Sequence, residues 1–132
     1  MALVLDTHAV IWYLSDSPKL SATAREAIET TLKSGDSLLI SAISLVEVIY
    51  LAERGRLPDE ALRRLEVALI DDASSILVVP LDLVVAQTVN KIKRTSVPEM
   101  PDRIIAATAV HVNAPLVTRD PELQSAGIRT IW

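Results

Sequence analysis

The residues that decide the fold are Leu3-Val4-Leu5-Asp6-Thr7, a short apolar run that ends at a carboxylate. Consecutive aliphatic residues are typical of a strand that is buried on both faces of a parallel sheet. The residues that follow predict a helix over 7–14. A carboxylate at the inner end of a buried strand is costly to desolvate without a partner. The stretch therefore predicts a strand followed by a helix, with a functional acid, Asp6, at the junction.

Strands and helices alternate along the rest of the chain. Short turn clusters separate the apolar runs, and no low-complexity tract or internal repeat interrupts them. Further strands are predicted at residues 38–40, 76–79 and 116–118, with a possible fifth at 128–131. Later helices are predicted to include 42–53 and 102–112. The predicted helix caps are Ser21, Asp59 and Asp82. This alternation predicts an α/β fold, a three-layer α/β/α domain with a central parallel sheet of four to five strands.

The composition limits the chain to one compact domain. It has 132 residues, of which 50% are hydrophobic and 23% charged, so we expect residues 1–132 to form a single domain with its own core. The absence of cysteine excludes a disulfide scaffold, a zinc ribbon and a thiol nucleophile. The longest apolar runs, residues 9–14 and 76–81, are too short to span a membrane. With no basic leader at the first residues, a cytoplasmic protein is expected.

Net charge and hydropathy indicate what kinds of partner to expect. The net charge of -4 argues against a general basic surface for nucleic acid but leaves room for a local basic patch. The mean hydropathy of +0.35 is high for a soluble monomer. We therefore expect an apolar surface that contacts another chain, as in a homodimer.

Four acids follow the predicted strands or open the helices after them. They are Asp6, Glu47, Asp102 and Asp120. Because ligands of parallel sheets bind beyond the carboxyl ends of the strands, these side chains should lie on one rim. Like charges gathered there are tolerable only if they are protonated or share a cation. Carboxylate oxygens select Mg2+ or Mn2+, and metal-assisted hydrolysis of a phosphodiester is the chemistry that follows.

Each acid must also be weighed against a purely structural role. Ser44 and Glu47 match a capping box, in which Glu47 would bond to the backbone amide of Ser44. Asp102 would lie in the positively charged first turn of a helix, and Asp120 would cap a short helix. Taken singly, these three patterns are more often structural than functional. Asp6 is the acid that a structural role explains least well.

Other side chains near the acids also have two interpretations. The hydroxyls of Thr7 and Thr118 would orient a carboxylate or a metal-bound water, or would cap a neighbouring helix. Glu99 and Glu122 would add metal ligands or simply remain solvated. His8 has no second histidine at metal-ligand spacing, so a packing or capping role is expected for it.

Basic and aromatic residues near the acids would suit a nucleic acid. Arg103 and Arg119 each adjoin a proposed metal-binding acid, and Lys91-Ile92-Lys93-Arg94 forms a basic cluster. These would hold a phosphate backbone, although a solvated helix end is the commoner role for such a cluster. Trp12 and Tyr13 would offer surfaces for base stacking. With only four aromatic residues in the chain, core or dimer contacts are the commoner role for both.

The chain resembles the PIN-domain ribonucleases, and within them the VapC-type toxins of bacterial toxin-antitoxin pairs. The resemblance is carried, in the order of the family, by residues 5–12 (LDTHAVIW), 41–47 (SAISLVE), 101–109 (PDRIIAATA) and 116–120 (LVTRD). These segments span nearly the full chain. One departure lies at residues 99–103, Glu-Met-Pro-Asp-Arg, where relatives often have Asp-Pro-Phe-Asp-Arg.

The resemblance implies the identity of the site and its partners. It implies that Asp6, Glu47, Asp102 and Asp120 bind the metal, and that Thr118 acts as the hydroxyl residue near the last acid. It also implies dependence on Mg2+ or Mn2+, cleavage of RNA, and inhibition by a cognate antitoxin.

Three hypotheses of different classes remain at this point. The leading one is a metal-dependent endoribonuclease. The second is a catalytically silent module that binds RNA or an antitoxin on the same fold. The third is a phosphoryl-transfer or receiver-like domain, in which Asp6 holds Mg2+ and another aspartate is phosphorylated. The acids at Asp102 and Asp120, and the lack of a lysine near the fourth strand, argue against the third.

Overall fold

A five-stranded parallel sheet forms the centre of the protein, which a computed structural model describes over residues 1–132. The strands are β1 (Leu3–Leu5), β2 (Leu38–Ser41), β3 (Ile76–Val79), β4 (Leu116–Val117) and β5 (Thr130–Ile131). Their order in the sheet is β3-β2-β1-β4-β5, and every neighbouring pair is parallel. The predicted α/β fold is therefore confirmed, and the possible fifth strand is present at the sheet edge.

Seven α-helices connect the strands and cover the sheet. They are α1 (Thr7–Leu14), α2 (Ala22–Lys33), α3 (Ala42–Glu53), α4 (Asp59–Ile70), α5 (Leu83–Thr88), α6 (Met100–Val112) and α7 (Pro121–Gln124). Two single 3-10 turns lie at Asp72–Ser74 and Val89–Lys91. No helix is both long enough and apolar enough to cross a membrane.

Two apolar clusters, one on each face of the sheet, pack the helices against it and give a three-layer arrangement. Leu3 and Leu5 of β1 pack on one face of the sheet, in a cluster with buried residues of α1, α2, α3 and α4. Val4 points to the other face, where it packs with buried residues of α6 and α7. Because successive side chains of a strand alternate between faces, the all-apolar run of β1 fits a strand covered on both sides.

The strand order places one crevice beside β1. The chain passes from β1 through β2 to β3 on one side, and then returns to β4 on the other side of β1. The direction of winding therefore changes at β1, and ligands of such sheets bind beyond the carboxyl ends of the strands at that point. The residues that follow Leu5 and Val117 lie there, while β3 is at the far edge.

Three element boundaries differ from the predictions. Helix α4 has Pro58 rather than Asp59 at its N-cap, so Asp59 is the first helical residue and makes no capping bond. Helix α6 begins at Met100, two residues earlier than predicted, because a proline is tolerated in the first helical turn. Thr118 lies just beyond β4 rather than within it. The predicted caps at Ser21 and Asp82 are confirmed.

Candidate active site

An acidic cleft of about 500 Å3 opens at the carboxyl ends of β1 and β4. Its lining residues are Asp6, Thr7, His8, Trp12, Glu47, Asp102, Ile105, Arg119, Asp120 and Pro121. All four acids that were expected on one rim therefore contribute to a single cleft. They come from sequence positions as distant as 6 and 120, so the parallel sheet is what brings them together.

Asp6 is held by hydrogen bonds to both of its carboxylate oxygens. It caps α1, and its Oδ1 accepts from the backbone amide of Ala9 at 2.9 Å. Its Oδ2 accepts from the hydroxyl of Thr118 at 2.5 Å. The hydroxyl oxygen of Thr118 accepts in turn from the backbone amide of Asp120 at 3.0 Å. Thr118 therefore joins two of the acids and caps no helix itself.

Burial has the largest effect on the pKa of Asp6. Burial raises the pKa of Asp6 above its ordinary value, and the negative charge of Asp120 adds to the increase. The hydrogen bonds from Thr118 and Ala9, and the charge of His8, lower the pKa but do not offset burial. A bound cation would reverse this balance, because it stabilises the carboxylate.

Glu47 is positioned from α3 by a hydrogen bond to α1. The Thr7 hydroxyl donates to Glu47 Oε1 at 2.6 Å and lies 3.0 Å from the hydroxyl oxygen of Ser44. The capping-box interpretation of Ser44 and Glu47 is wrong, since the cap of α3 is Ser41, whose side chain accepts from the amide of Ile43. Ser44 is buried inside the helix. Thr7 thus orients a carboxylate rather than capping a helix.

Asp102 lies in the first turn of α6, half-buried, with its carboxyl group toward the other acids. Burial first, and then the negative charges of Asp120, Glu47, Asp6 and Glu122, together raise the pKa of Asp102 from 3.8 to about 7. No hydrogen-bond donor of the protein offsets these effects. The first-turn interpretation explains the location of Asp102, but it does not explain why an acid is kept in so unfavourable a place.

Asp120 combines the structural and the functional interpretation. Its Oδ1 accepts from the backbone amide of Glu122 at 2.9 Å, so it caps the short helix α7 as the cap prediction required. The same side chain lines the cleft and raises the pKa of both Asp6 and Asp102. Capping therefore fixes the orientation of Asp120 without removing it from the site.

The donor set would suit a hard divalent cation that keeps part of its water shell. The four acids offer only oxygen ligands, the type that Mg2+ and Mn2+ prefer. No three Asp, Glu or His side chains are close enough together to hold an ion directly as they stand. Mg2+ is commonly bound through one or two carboxylates and several waters, which an open cleft of this size accommodates.

Glu99 and Glu122, the two acids interpreted as either auxiliary ligands or solvated side chains, lie outside the cleft lining. Glu122 is exposed and does not line the cleft, although its charge contributes to the raised pKa of Asp102. Glu99 is exposed immediately before α6 and likewise does not line the cleft. Neither glutamate is therefore placed to bind a metal ion in the cleft directly.

The expectation that Arg103 holds a nucleic-acid backbone is wrong. Its guanidinium donates to the carbonyl oxygens of Ile92, at 3.0 and 2.7 Å, and of Val89, at 3.1 Å. These hydrogen bonds hold the Arg103 side chain against the turn that follows α5. The basic cluster at residues 91–94 also lies outside the cleft, with Lys91, Lys93 and Arg94 exposed.

The aromatic residues divide between core and cleft. Tyr13 packs against the larger apolar cluster, as the core interpretation predicted. Trp12 packs partly against that cluster and also lines the acidic cleft. The sequence predictions missed Trp132, whose ring lies 5.8 Å from that of Trp12. A signal for it existed, because residues that follow parallel β5 emerge at the same sheet edge as the acids.

Known proteins of one family match this chain along nearly its whole length. A model of the PIN domain matches residues 3–128. Ribonuclease VapC22 of Mycobacterium tuberculosis is 32% identical over 125 residues, which are 93% of this chain and 90% of the relative. VapBC2 from Rickettsia felis, solved with a promoter DNA fragment, has a TM-score of 0.73 at 19% identity, covering 98% and 97% of the two chains. DNA-bound VapBC from Salmonella typhimurium has a TM-score of 0.71 at 25% identity, covering 98% and 96%.

Proposed function

The chain belongs to the PIN-domain family, and from that premise we propose that it is a metal-dependent endoribonuclease and the toxin of a type II toxin-antitoxin pair. The observation that carries the proposal is the convergence of Asp6, Glu47, Asp102 and Asp120 in one cleft. The mycobacterial relative, a ribonuclease, supports RNA as the substrate. We further propose that residues 1–132 act as one nuclease domain in the cytoplasm, where its substrate is found.

The four acids would hold the metal, some of them through its bound waters, with Mg2+ or Mn2+ favoured by their oxygen ligands. The chemistry such an ion supplies when bound is activation of water and neutralisation of charge on the attacked phosphate. Thr118 holds Asp6 toward the cleft, and Thr7 does the same for Glu47. Asp102, which no protein donor reaches, offers free carboxylate oxygens. Thr118 is therefore a positioning residue, while the four acids would bind the metal ion.

A cognate antitoxin is the proposed protein partner. The structural neighbours from Rickettsia felis and Salmonella typhimurium are complexes of this kind, and their fold extends over nearly the whole chain. An antitoxin would keep the nuclease inactive by covering part of its surface. Recovery of a small bound protein from the native host would support this partner.

A homodimer is also proposed, because large apolar side chains are exposed along one edge of the molecule. Edge strand β3 and the start of α5 expose Leu77, Val78, Leu81, Leu83 and Val84. Several large exposed apolar side chains on neighbouring elements are typical of an interface. The high mean hydropathy of the sequence has its structural origin partly here.

Sequencing of RNA ends after brief expression in cells tests the nuclease proposal and identifies its target. The wild type should produce new ends at a few defined positions, and Asp102→Asn should not. Asp59→Asn is the matched control, since Asp59 is exposed, lies outside the cleft and makes no capping bond. Identical ends from the wild type and Asp102→Asn would contradict the proposed site.

A further inference from the structure

Trp12 lines the acidic cleft and is surrounded by side chains that make no hydrogen bond to the four acids. Its ring is 5.5 Å from that of His8, tilted by 45°, and 5.8 Å from that of Trp132, tilted by 59°. These three side chains come from α1 and from the residue after β5. We call them the aromatic rim. None of them contributes to the hydrogen bonds that position the four acids.

Two cations lie over the same indole. The guanidinium carbon of Arg119 is 5.2 Å from the ring centroid of Trp12, and Nζ of Lys19 is 6.0 Å from it. Both side chains are exposed, and the ion pairs of the chain involve other cations: the N-terminus, Arg25, Arg63 and Arg64. Arg119 and Lys19 thus keep their charges free beside a cleft whose acids do not pair with them.

The aromatic rim and the acids lie on neighbouring parts of the chain. Asp6 caps α1 and Trp12 lies six positions further along, which is about 9 Å along a helix axis. Arg119, which lies over the Trp12 ring, directly precedes Asp120 and lines the same cleft as the acids. A nucleotide that contacts Trp12 would place its neighbouring phosphate toward the cleft.

We propose that Trp12 stacks on a base of single-stranded RNA next to the scissile phosphate, while Arg119 and Lys19 bind the flanking phosphates. This inference rests on the proposed nuclease function and adds a substrate-binding subsite to it. An aromatic face beside free cations is the combination that binds single strands, since the ring contacts the base and the cations contact the backbone. A base within a duplex is already stacked, so the subsite selects unpaired segments.

The charges of the cleft favour a polyanion with a planar group over an acidic protein segment. The four acids repel any anion that is not paired with a metal, so an incoming chain needs cations placed outside them. Arg119 and Lys19 are such cations, and both lie within 6.0 Å of the ring centroid of Trp12. The face of an indole attracts planar groups as well as cations. A phosphodiester chain carrying bases provides both features in alternation.

Fluorescence of Trp12 measures occupancy of the subsite directly. The variant Trp132→Phe leaves Trp12 as the single tryptophan, because the chain has only two. A single-stranded 2′-O-methyl RNA oligonucleotide, titrated in Mg2+ buffer, should quench it saturably. The same oligonucleotide with a single abasic site should quench it less and bind roughly 5- to 150-fold more weakly, the range expected for loss of one stacked base.

Cleavage kinetics separate stacking from a merely structural role of the ring. Trp12→Leu should raise KM by a similar factor, and Trp12→Phe, which keeps an aromatic face, should restore most of it. Arg119→Gln tests the subsite without changing the core, because Arg119 is exposed. Each lost phosphate contact should reduce the salt dependence of binding by about 0.7 in the logarithmic slope. Arg56→Gln, an exposed arginine outside the cleft, should leave the slope unchanged.

The outcomes distinguish this subsite from the nuclease function itself. Cleavage by Trp12→Leu and Arg119→Gln with unchanged KM and unchanged salt slope would overturn the subsite and leave the nuclease intact. If those variants also lost the protein partner, the rim would be a protein-docking surface, which overturns the proposal equally. RNA-dependent quenching of Trp12 in a protein that cleaves nothing would support the subsite while contradicting the nuclease.

Discussion

The hydroxyl of Thr118 donates to Oδ2 of Asp6 at 2.5 Å, which connects residues 112 positions apart in the sequence. The same hydroxyl oxygen accepts from the amide of Asp120 at 3.0 Å. Thr118 is fully buried, so both bonds are shielded from water. One small side chain therefore fixes the relative positions of two acids that come from neighbouring strand ends, and its removal should disturb both.

Thr118→Val should lower both activity and stability. The substitution keeps the shape of the side chain but leaves Oδ2 of Asp6 without its donor and the Asp120 amide without its acceptor. An unsatisfied buried polar group costs about 1–3 kcal/mol of unfolding free energy. Loss of such a positioning partner typically costs about 10- to 100-fold in activity or metal affinity. Urea unfolding and RNA cleavage rates measure the two effects.

Thr118→Ser is the matched control for this prediction. Serine keeps the hydroxyl and should retain most of the activity that valine loses. Equal cleavage rates in the valine and serine variants would show that the hydrogen bond to Asp6 does not matter for activity.

Asp102→Asn should raise the stability of the metal-free protein while abolishing cleavage. The substitution removes one of several like charges, and a pair of like charges about 4 Å apart costs roughly 1 kcal/mol in water and about 4 kcal/mol near a protein surface. A gain of about 1 kcal/mol corresponds to an increase in Tm of about 4 °C for a domain of this size. Melting curves in EDTA measure the gain. Added Mg2+ should then stabilise the wild type more than the variant, because only binding to the folded site contributes.

A purely structural role of Asp102 gives the opposite result. A first-turn acid stabilises its helix by up to about 1 kcal/mol, so its loss would lower Tm with or without metal. A variant less stable than the wild type in EDTA, with the same response to Mg2+, would show that the acids do not form one site.

The stability of the metal-free protein should fall as pH rises from about 4 to about 7. The pKa of Asp102 is about 7 in the folded protein against an ordinary value of 3.8, because of burial and the neighbouring acids. Between these values the folded protein binds more protons at this carboxyl than the unfolded chain does, so the free energy of unfolding decreases with pH. The raised pKa of Asp6 acts in the same direction. Tm measured in EDTA across this range tests the prediction.

The variant Asp102→Asn isolates the contribution of this carboxyl. The difference in Tm between the variant and the wild type should be near zero at about pH 4 and should grow toward pH 7. A difference that stays constant over this range would mean that Asp102 titrates at its ordinary pKa.

Leu83→Glu should convert the proposed homodimer into a monomer. Leu83 is 71% exposed at the start of α5, within the apolar edge of the molecule, and a buried charge there would be unpaired. Light scattering at tens of micromolar protein measures the change. Ile70→Glu, at an equally exposed apolar residue on α4, is the control and should leave the oligomer intact. A wild type that is monomeric under these conditions would contradict the dimer.

The sequence was sufficient to predict the strands and the meeting of the acids. Leu3 to Leu5 are apolar in succession because β1 is central, and parallel strands all end at one edge. Asp6 and Asp120 could therefore be placed together without knowing the strand order. This prediction depends only on strand direction and needs no side-chain detail.

The contacts between distant side chains could not be predicted in the same way. The capping box at Ser44 was a plausible local pattern, but β2 continues to Ser41 and the helix starts at once, so the cap moves three residues earlier. Arg103 adjoins Asp102 in sequence and yet bonds to carbonyl oxygens after α5, because successive helical residues point in different directions. Trp12 reaches both core and cleft, which no pattern within α1 reveals.

Cleavage of single-stranded RNA by the purified protein, with and without divalent metal, tests the metal-dependent nuclease most directly. The wild type should cleave in Mg2+ or Mn2+, stop when EDTA is added and resume when excess Mg2+ is restored. Asp6→Asn and Asp102→Asn should stay inactive throughout, and Asp59→Asn should behave like the wild type. Cleavage undiminished by EDTA and by Asp6→Asn would contradict a nuclease built on these four acids.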